Sequence, residues 1–191
     1  MKPAAYAVMN AVLALPMRNG LAIDGGAHWG IWTKALTEKF GNVIAFEPNI
    51  ESAEILEKNL NGTGGVTLIK KALGWVPEQK VKVMWRLNFK SDTSRISMDG
   101  QESIVTSLDS MGLQDVSFIK LDVEGFEYFA LRGMEQTLLR CKPKLLIEEK
   151  EGLSEYYGIP TGEARRWLES IGMKVEQTFK IDVLLGWNGA A

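Results

Sequence analysis

Cysteine and histidine are nearly absent from this chain, since Cys141 and His28 are the only ones among its 191 residues. A single cysteine can form neither an intramolecular disulfide nor a zinc site built from several thiolates. This excludes a disulfide-stapled secreted scaffold and fits a reducing compartment. We therefore expect a cytoplasmic protein in which Cys141 has a structural role.

The chain also lacks a surplus of charge of either sign. It has 22 Lys and Arg against 24 Asp and Glu, which gives a net charge of −2 and a pI near 5.6. Domains that bind nucleic acid usually carry a basic surplus on one face. We therefore do not expect a nucleic-acid partner.

Long apolar runs are missing as well. No segment reaches the roughly 20 apolar residues that span a bilayer, so no membrane partner is expected. The apolar stretch at 4–17 is interrupted by Asn10 and preceded only by Lys2. Cleavage there would leave the first strand almost at the new terminus, which is unlike a signal peptide. We expect a helix within 1–19 that packs on a sheet.

What the sequence does contain is a regular alternation of strand-length apolar runs with helical periodicity, which predicts βαβ units and a mostly parallel sheet in one domain over 1–191. A period-two segment with turn signals at Ser91-Asp92 and Asp99-Gly100 predicts an inserted β-ribbon over 78–106. The last two runs predict a C-terminal antiparallel hairpin. The predicted strands are 21–24, 43–46, 66–72, 118–122, 144–147, 173–179 and 182–187, and the main helices are 28–39, 126–140 and 164–171.

A glycine-rich turn follows the first predicted strand, and such a turn lets backbone N–H groups approach a nucleotide-type cofactor. Its residues are Asp24, Gly25, Gly26, Ala27, His28, Trp29 and Gly30. The dinucleotide pattern Gly-x-Gly-x-x-Gly is matched only with Ala27 in the middle. An acid followed by glycines is instead the pattern of methyltransferases that bind S-adenosylmethionine. Glu47, after the second strand, could accept both ribose hydroxyls of either cofactor, so both stay open here.

Five motifs in order distinguish the two cofactors. They are Asp-Gly-Gly-Ala-His-Trp-Gly at 24–30, Phe-Glu-Pro at 46–48, Leu-Asp-Ser at 108–110, Ile-Lys-Leu-Asp-Val-Glu-Gly-Phe-Glu at 119–127 with Leu-Arg-Gly at 131–133, and a strand from Pro143 to Glu148. With these motifs the chain resembles the FkbM family of S-adenosylmethionine-dependent methyltransferases, over about two thirds of its length. It departs from the family pattern at His28, where asparagine is usual, and in having little sequence outside the first and last strands.

The resemblance implies a Rossmann-like class I methyltransferase fold with seven strands and S-adenosylmethionine as cofactor. The cofactor-binding residues that it implies are Asp24, Gly25, Gly26, Ala27, His28, Gly30, Glu47, Pro48, Ala72 and Leu73. The adenine would lie at 71–74, with Trp29 or Trp75 as a candidate stacking partner.

The resemblance also implies methyl transfer to a hydroxyl group of a small acceptor, such as a sugar or a polyketide-like molecule. Asp122, at the carboxyl end of the fourth strand of the main sheet, is the first candidate for the general base, and Glu124 is the second. Glu127 is predicted to cap the following helix as readily as to act in catalysis. Lys120 lies on an otherwise apolar strand, where an ion pair with a nearby carboxylate is expected.

Other interpretations remain open from the sequence. Asp122 with Glu148 or Glu149 could hold a divalent cation through oxygen ligands, although no metal site is predicted. Asp-Val-Glu-Gly replaces the Asn/Asp-Pro-Pro-aromatic motif of enzymes that methylate base amino groups, which argues against that substrate. The alternatives to the methyltransferase are a nicotinamide-dependent Rossmann oxidoreductase and an S-adenosylmethionine-binding module without catalysis.

Overall fold

A computed structural model gives the architecture, and it describes residues 3–88, 91–97 and 99–188. One sheet of seven strands forms the centre. Its strands are β1 Leu21–Gly25, β2 Val43–Phe46, β3 Val66–Ile69, β8 Val116–Leu121, β9 Lys144–Glu148, β10 Met173–Phe179 and β11 Asp182–Trp187. Their order across the sheet is β10-β11-β9-β8-β1-β2-β3, and all neighbours pair in parallel except β11, which runs antiparallel to both β9 and β10. The predicted mostly parallel sheet and its C-terminal hairpin are confirmed.

The central strand β8 is buried along its whole length, as a parallel strand covered on both faces should be. Ile119 and Leu121 pack into the larger core on one face, whereas Phe118 packs on the other face with Val12 and Leu36. The helix that supplies Val12 therefore lies against the sheet. The helices are α1 Pro3–Ala14, α2 Ile31–Phe40, α3 Ile50–Asn59, α4 Glu127–Arg132, α5 Glu135–Cys141 and α6 Glu163–Ser170. Within the described residues, none is long and apolar enough to cross a bilayer.

A second sheet contains the inserted ribbon, in the order β4-β7-β5-β6. Its strands are β4 Ala72–Leu73, β5 Lys80–Asn88, β6 Ser91–Ser97 and β7 Gln101–Thr106. The predicted strand 66–72 is therefore wrong at its end, because the chain leaves the main sheet after Ile69 and Ala72 pairs with Val105 instead. The predicted turn at Ser91-Asp92 is also wrong, since both residues belong to β6; the link between β5 and β6, 89–90, lies outside the described residues.

The predicted helix 126–140 is divided into α4 and α5 at Gly133. A Cβ on Gly133 would lie 1.9 Å from the carbonyl oxygen of Gly74, so the backbones meet too closely for any other residue. The Asp109 carboxylate then caps α5 by accepting hydrogen bonds from the backbone N–H of Gln136 (3.0 Å) and of Thr137 (2.8 Å). A side chain distant in sequence thus satisfies the free N–H groups that a new helix start exposes.

We predict that Asp109→Ala lowers the free energy of unfolding by about 1–2 kcal/mol, because it removes this cap. Urea unfolding followed by circular dichroism measures the change. Asp99→Ala, which removes an exposed carboxylate from the turn before β7, is the control and should change stability by less than about 0.5 kcal/mol. Equal stability of both variants would show that the cap contributes nothing.

Candidate functional site

A cavity of about 340 Å³ opens at the carboxyl ends of β1, β2 and β8. The sheet order reverses at β1, because β2 lies on one side of it and β8 on the other. Open α/β sheets bind their ligands at such a switch point, and the cavity has the size of a small-molecule site. Of the predicted cofactor residues, Gly26, Ala27, His28, Glu47, Pro48, Ala72 and Leu73 line it.

The glycine turn is shaped by contacts within the protein. Gly26 has φ +74, and a Cβ there would lie 1.9 Å from the carbonyl oxygen of Asp122. The backbone N–H groups of Gly26 and Ala27 both donate to the carbonyl oxygen of Phe46, at 3.0 Å each. These amides therefore hold β1 against β2 and are already occupied, which is unlike a loop that cradles a pyrophosphate.

Asp24, predicted to bind the cofactor, lies outside the cavity lining and is fully buried. Its carboxylate accepts a hydrogen bond from the Thr33 hydroxyl at 2.7 Å and lies 3.4 Å from the Lys120 ammonium. Burial opposes the charge of Lys120, but Asp24 and Asp122 outweigh it and raise the pKa of Lys120 above its ordinary value. The expected ion pair of Lys120 is confirmed. Asp24 acts inside the fold; Gly25 and Gly30 also lie outside the lining.

Glu47 directly follows β2 and is almost fully buried, yet it lines the cavity. Its two carboxylate oxygens accept backbone N–H groups, one from His28 at 2.8 Å and the other from Asn49 at 2.9 Å. Burial raises the pKa of Glu47 to about 7 despite these bonds. Each oxygen keeps a lone pair for a further donor, which is what two adjacent hydroxyl groups would supply.

The cavity wall next to Glu47 is apolar. Pro48, Ala72 and Leu73 form it. Trp29 also lines the cavity, and its ring stacks on the ring of His28 with 4.6 Å between centroids. Trp75 does not line the cavity; it is half exposed and meets Phe129 edge to face. Of the two candidate stacking residues, only Trp29 is therefore in position.

Asp122 and Glu124 line the opposite end of the cavity, after β8. Glu124 has φ +54, a left-handed conformation that is rare outside glycine. The loop is held by Glu127, whose carboxylate accepts the N–H groups of Val123 at 3.0 Å and Gly125 at 3.2 Å. Glu127 thus fixes the loop before α4 and does not cap the free N–H groups of that helix, and Asp122 and Glu124 line the cavity.

A cluster of carboxylates surrounds this end. Asp122, Glu124 and Glu148 lie with one oxygen each within 4.8 Å of one another, and they could together hold a metal ion. Burial and the neighbouring carboxylates raise the pKa of Glu148 to about 9, and burial with the charge of Asp122 raises the pKa of Glu124 to about 7. Glu149 points elsewhere, to Arg165 at 3.3 Å.

The sequence did not reveal that the ribbon reaches the cavity. Arg95 and Ile96 of β6 line it, together with Trp32, Lys71 and Phe126. In the sequence, Arg95 is one charged residue in a polar strand, and no spacing or motif signals it. Only the way in which the ribbon folds back brings it to the site.

Comparison with known proteins agrees with this geometry. Residues 24–175 match the family model described as Methyltransferase FkbM domain, which is most of the chain. A search of curated proteins gave no match.

Solved structures share the fold at low identity. An FkbM methyltransferase from Methylobacillus flagellatus KT is 20% identical with a TM-score of 0.58, over 89% of this chain and 44% of that one. A methyltransferase from Streptococcus mutans, solved with S-adenosylhomocysteine (SAH), is 12% identical with a TM-score of 0.59, over 98% of this chain and 99% of that one. An rRNA methylase from Streptococcus thermophilus is 14% identical with a TM-score of 0.58, over 98% of each chain.

These likenesses establish the fold as that of class I S-adenosylmethionine-dependent methyltransferases. The nicotinamide-dependent oxidoreductase, which rested on Gly25, Ala27 and Gly30, is wrong, because the family match covers that segment. The chain spans less than half of the Methylobacillus protein. By its family match, the protein belongs to the FkbM methyltransferases.

Proposed function

We propose that this protein transfers a methyl group from S-adenosylmethionine to a hydroxyl group of a small acceptor, such as a sugar or a polyketide-like molecule. One observation carries the proposal: a single cavity joins Glu47 at the end of β2 to Asp122 and Glu124 at the end of β8. The first end suits a nucleoside, and the second supplies carboxylates next to it.

The residues of the cavity fit S-adenosylmethionine. Glu47 keeps acceptor capacity for both ribose hydroxyls, and Pro48, Ala72 and Leu73 offer an apolar surface to the adenine. The turn at Gly26, Ala27 and His28 lies between this region and Asp122, so the methionine part has a polar neighbourhood.

When bound, the cofactor supplies an electrophilic methyl group, and the protein has to align the acceptor oxygen with it and remove a proton. Glu124 suits proton removal, because a pKa of about 7 leaves a substantial fraction ionised at neutral pH. Asp122 lies beside it and is held at 3.6 Å from the Lys120 ammonium. We assign Asp122 to hold the acceptor hydroxyl, with Glu124 next to it as the proton acceptor.

The acceptor class is inferred from charge. The chain has no basic surplus that would attract the long phosphate backbone of a nucleic acid. We therefore propose a small molecule rather than a nucleic acid, although one structural relative is an rRNA methylase. The single, unpaired Cys141 supports a cytoplasmic location.

We expect Glu47→Gln to weaken the binding of SAH about 10- to 100-fold, since hydrogen bonds to a charged group contribute about 1.5–3 kcal/mol. Isothermal titration calorimetry measures the dissociation constant. Glu54→Gln, an exposed position in α3, is the control and should bind as the unmodified protein does. Equal binding by both variants would remove Glu47 from the site.

We expect Asp122→Asn and Glu124→Gln each to lower turnover about 10²- to 10⁴-fold, while the binding of S-adenosylmethionine changes only a few-fold. Transfer of labelled methyl groups to a panel of sugars and polyketide-like acceptors measures this. Glu151→Gln, which removes an exposed carboxylate beyond β9, is the control.

In the unmodified protein kcat/KM should rise with pH around 7, because the basic form of Glu124 is needed. Glu124→Gln should abolish that rise. If the cofactor binds but no acceptor is methylated, the chain is a binding module without catalysis.

Glu148 provides a test through stability. Its pKa is raised from 4.5 to about 9 in the folded protein, so its contribution is complete below pH 4.5 and is lost as the pH rises through 9. Glu148→Gln stays neutral and should be more stable than the unmodified protein at pH 8 by at least about 1.4 kcal/mol, the equivalent of one pKa unit. Urea unfolding at pH 5 and pH 8 measures this difference. If Glu148→Gln loses more stability between pH 5 and pH 8 than the unmodified protein does, the raised pKa of Glu148 is contradicted.

A further inference from the structure

The inserted ribbon contributes a cation to the cavity. Arg95 and Ile96, near the end of β6, line the same space as Asp122 and Glu124. Arg95 is close enough to Glu124 for its charge to lower the pKa of that carboxyl against the larger effect of burial. The ribbon therefore forms part of the wall at the acceptor end.

The Arg95 guanidinium is held in a fixed orientation. It lies over the ring of Tyr156, 4.3 Å from the centroid. The next residue of the ribbon is tied to the same turn, because the hydroxyl of Tyr157 donates a hydrogen bond to the carbonyl oxygen of Ile96 at 2.8 Å. Tyr157 in turn packs edge to face on Phe126, with 5.3 Å between centroids. Two adjacent tyrosines thus hold the ribbon and its arginine against the body of the protein.

One donor of this cation lacks an acceptor. Among the described residues the buried Arg95 Nε–H has no hydrogen-bond partner, and no carboxylate of theirs lies within 4.0 Å of the guanidinium. The two lysines of the same lining differ from it, since Lys71 pairs with Glu78 at 2.9 Å and Lys120 pairs with Asp24. A buried donor without an acceptor is costly, and in a cavity it marks a place where a ligand supplies the acceptor.

We propose that Arg95 binds an anionic group, a carboxylate or a phosphate, on the hydroxylated acceptor. This rests on the proposed methyl transfer and specifies its substrate class. The planar guanidinium presents paired N–H donors that match both anions, and its contact with the Tyr156 ring occupies none of these donors with an acceptor. Binding there would anchor one end of the acceptor and direct a hydroxyl group to Asp122 and Glu124.

The carboxylates nearby are compatible with an anionic acceptor. Asp122 is ion-paired with Lys120, which offsets the negative charge nearest to the cavity. A ligand anion at Arg95 would also supply an acceptor to the Nε–H, which has none among the described residues.

The test uses the full chain saturated with SAH and follows the Arg95 Nε–H resonance by two-dimensional ¹⁵N NMR. Inorganic phosphate, acetate and neutral glucose are titrated separately. We expect phosphate or acetate to shift this resonance in a saturable manner, and glucose to leave it unchanged. The stronger of the two anions identifies phosphate or carboxylate as the group recognised.

Variants then test the residue. In the variants, anion binding is followed through the backbone amide resonances of the cavity, in parallel with the unmodified protein. Arg95→Gln should weaken binding of the preferred anion about 10- to 100-fold. Arg95→Lys, which keeps the charge but loses the paired N–H donors of the guanidinium, should show an intermediate affinity. Lys82→Gln removes a positive charge from an exposed position on the neighbouring strand β5 and should bind the anion as the unmodified protein does. All variants should bind SAH within about two-fold of the unmodified protein.

Two negative results have different meanings. If SAH binds but neither anion shifts the Arg95 resonance, or if Arg95→Gln binds the anion unchanged, the anion site is refuted while methyl transfer stands. If the unmodified protein does not bind SAH, the proposed function itself fails. If Arg95→Gln changes only the pH dependence of kcat/KM, Arg95 acts by adjusting the charge of Glu124. That result would overturn its proposed role in binding the acceptor.

Discussion

The buried ion pair between Asp24 and Lys120 is the interaction on which the site depends. Lys120 lies on the central strand β8, and its ammonium also donates to the carbonyl oxygen of Gly26 at 3.0 Å and approaches Asp122 at 3.6 Å. One cation therefore connects the end of β1, the turn that follows it and the first acid of the acceptor end. Removing Lys120 would leave the fully buried Asp24 carboxylate without its counter-charge, which is far more costly than losing a surface pair.

Much of the fold could be predicted from the sequence, because strands that are covered on both faces must be apolar and helices between them must show a helical period. The residues at which strands and helices end were harder to predict. The strand at 66–72 was predicted too long since Ala72 and Leu73 are equally suited to either sheet, and only the return of β7 decides their partner. The division between α4 and α5 depends on Asp109 and Gly74, neither of which belongs to the helix.

The site shows the same limit. Motif order led to Glu47, Asp122 and Glu124, which all line the cavity. It did not distinguish Asp24 from these residues. Asp24 also lies at a strand end, but its carboxylate is paired with Lys120 and accepts a hydrogen bond from Thr33 inside the fold. It gave no sign of Arg95, because contact across a folded ribbon leaves no spacing in the sequence. Local pattern thus identifies residues at strand ends, whereas partners supplied by tertiary contacts require coordinates.

The pairing of β4 with β7 has a further consequence. Ala72 pairs with Val105 and Leu73 with Thr106. The inserted segment that contains β5 and β6 therefore begins and ends at neighbouring points of the fold. Its length and composition can therefore change without moving the ends of β1 and β2, where most of the proposed cofactor residues lie. Such an arrangement would let the proposed acceptor wall evolve independently of the proposed nucleoside pocket, and relatives with the same first half could diversify their substrates through this one exchangeable segment.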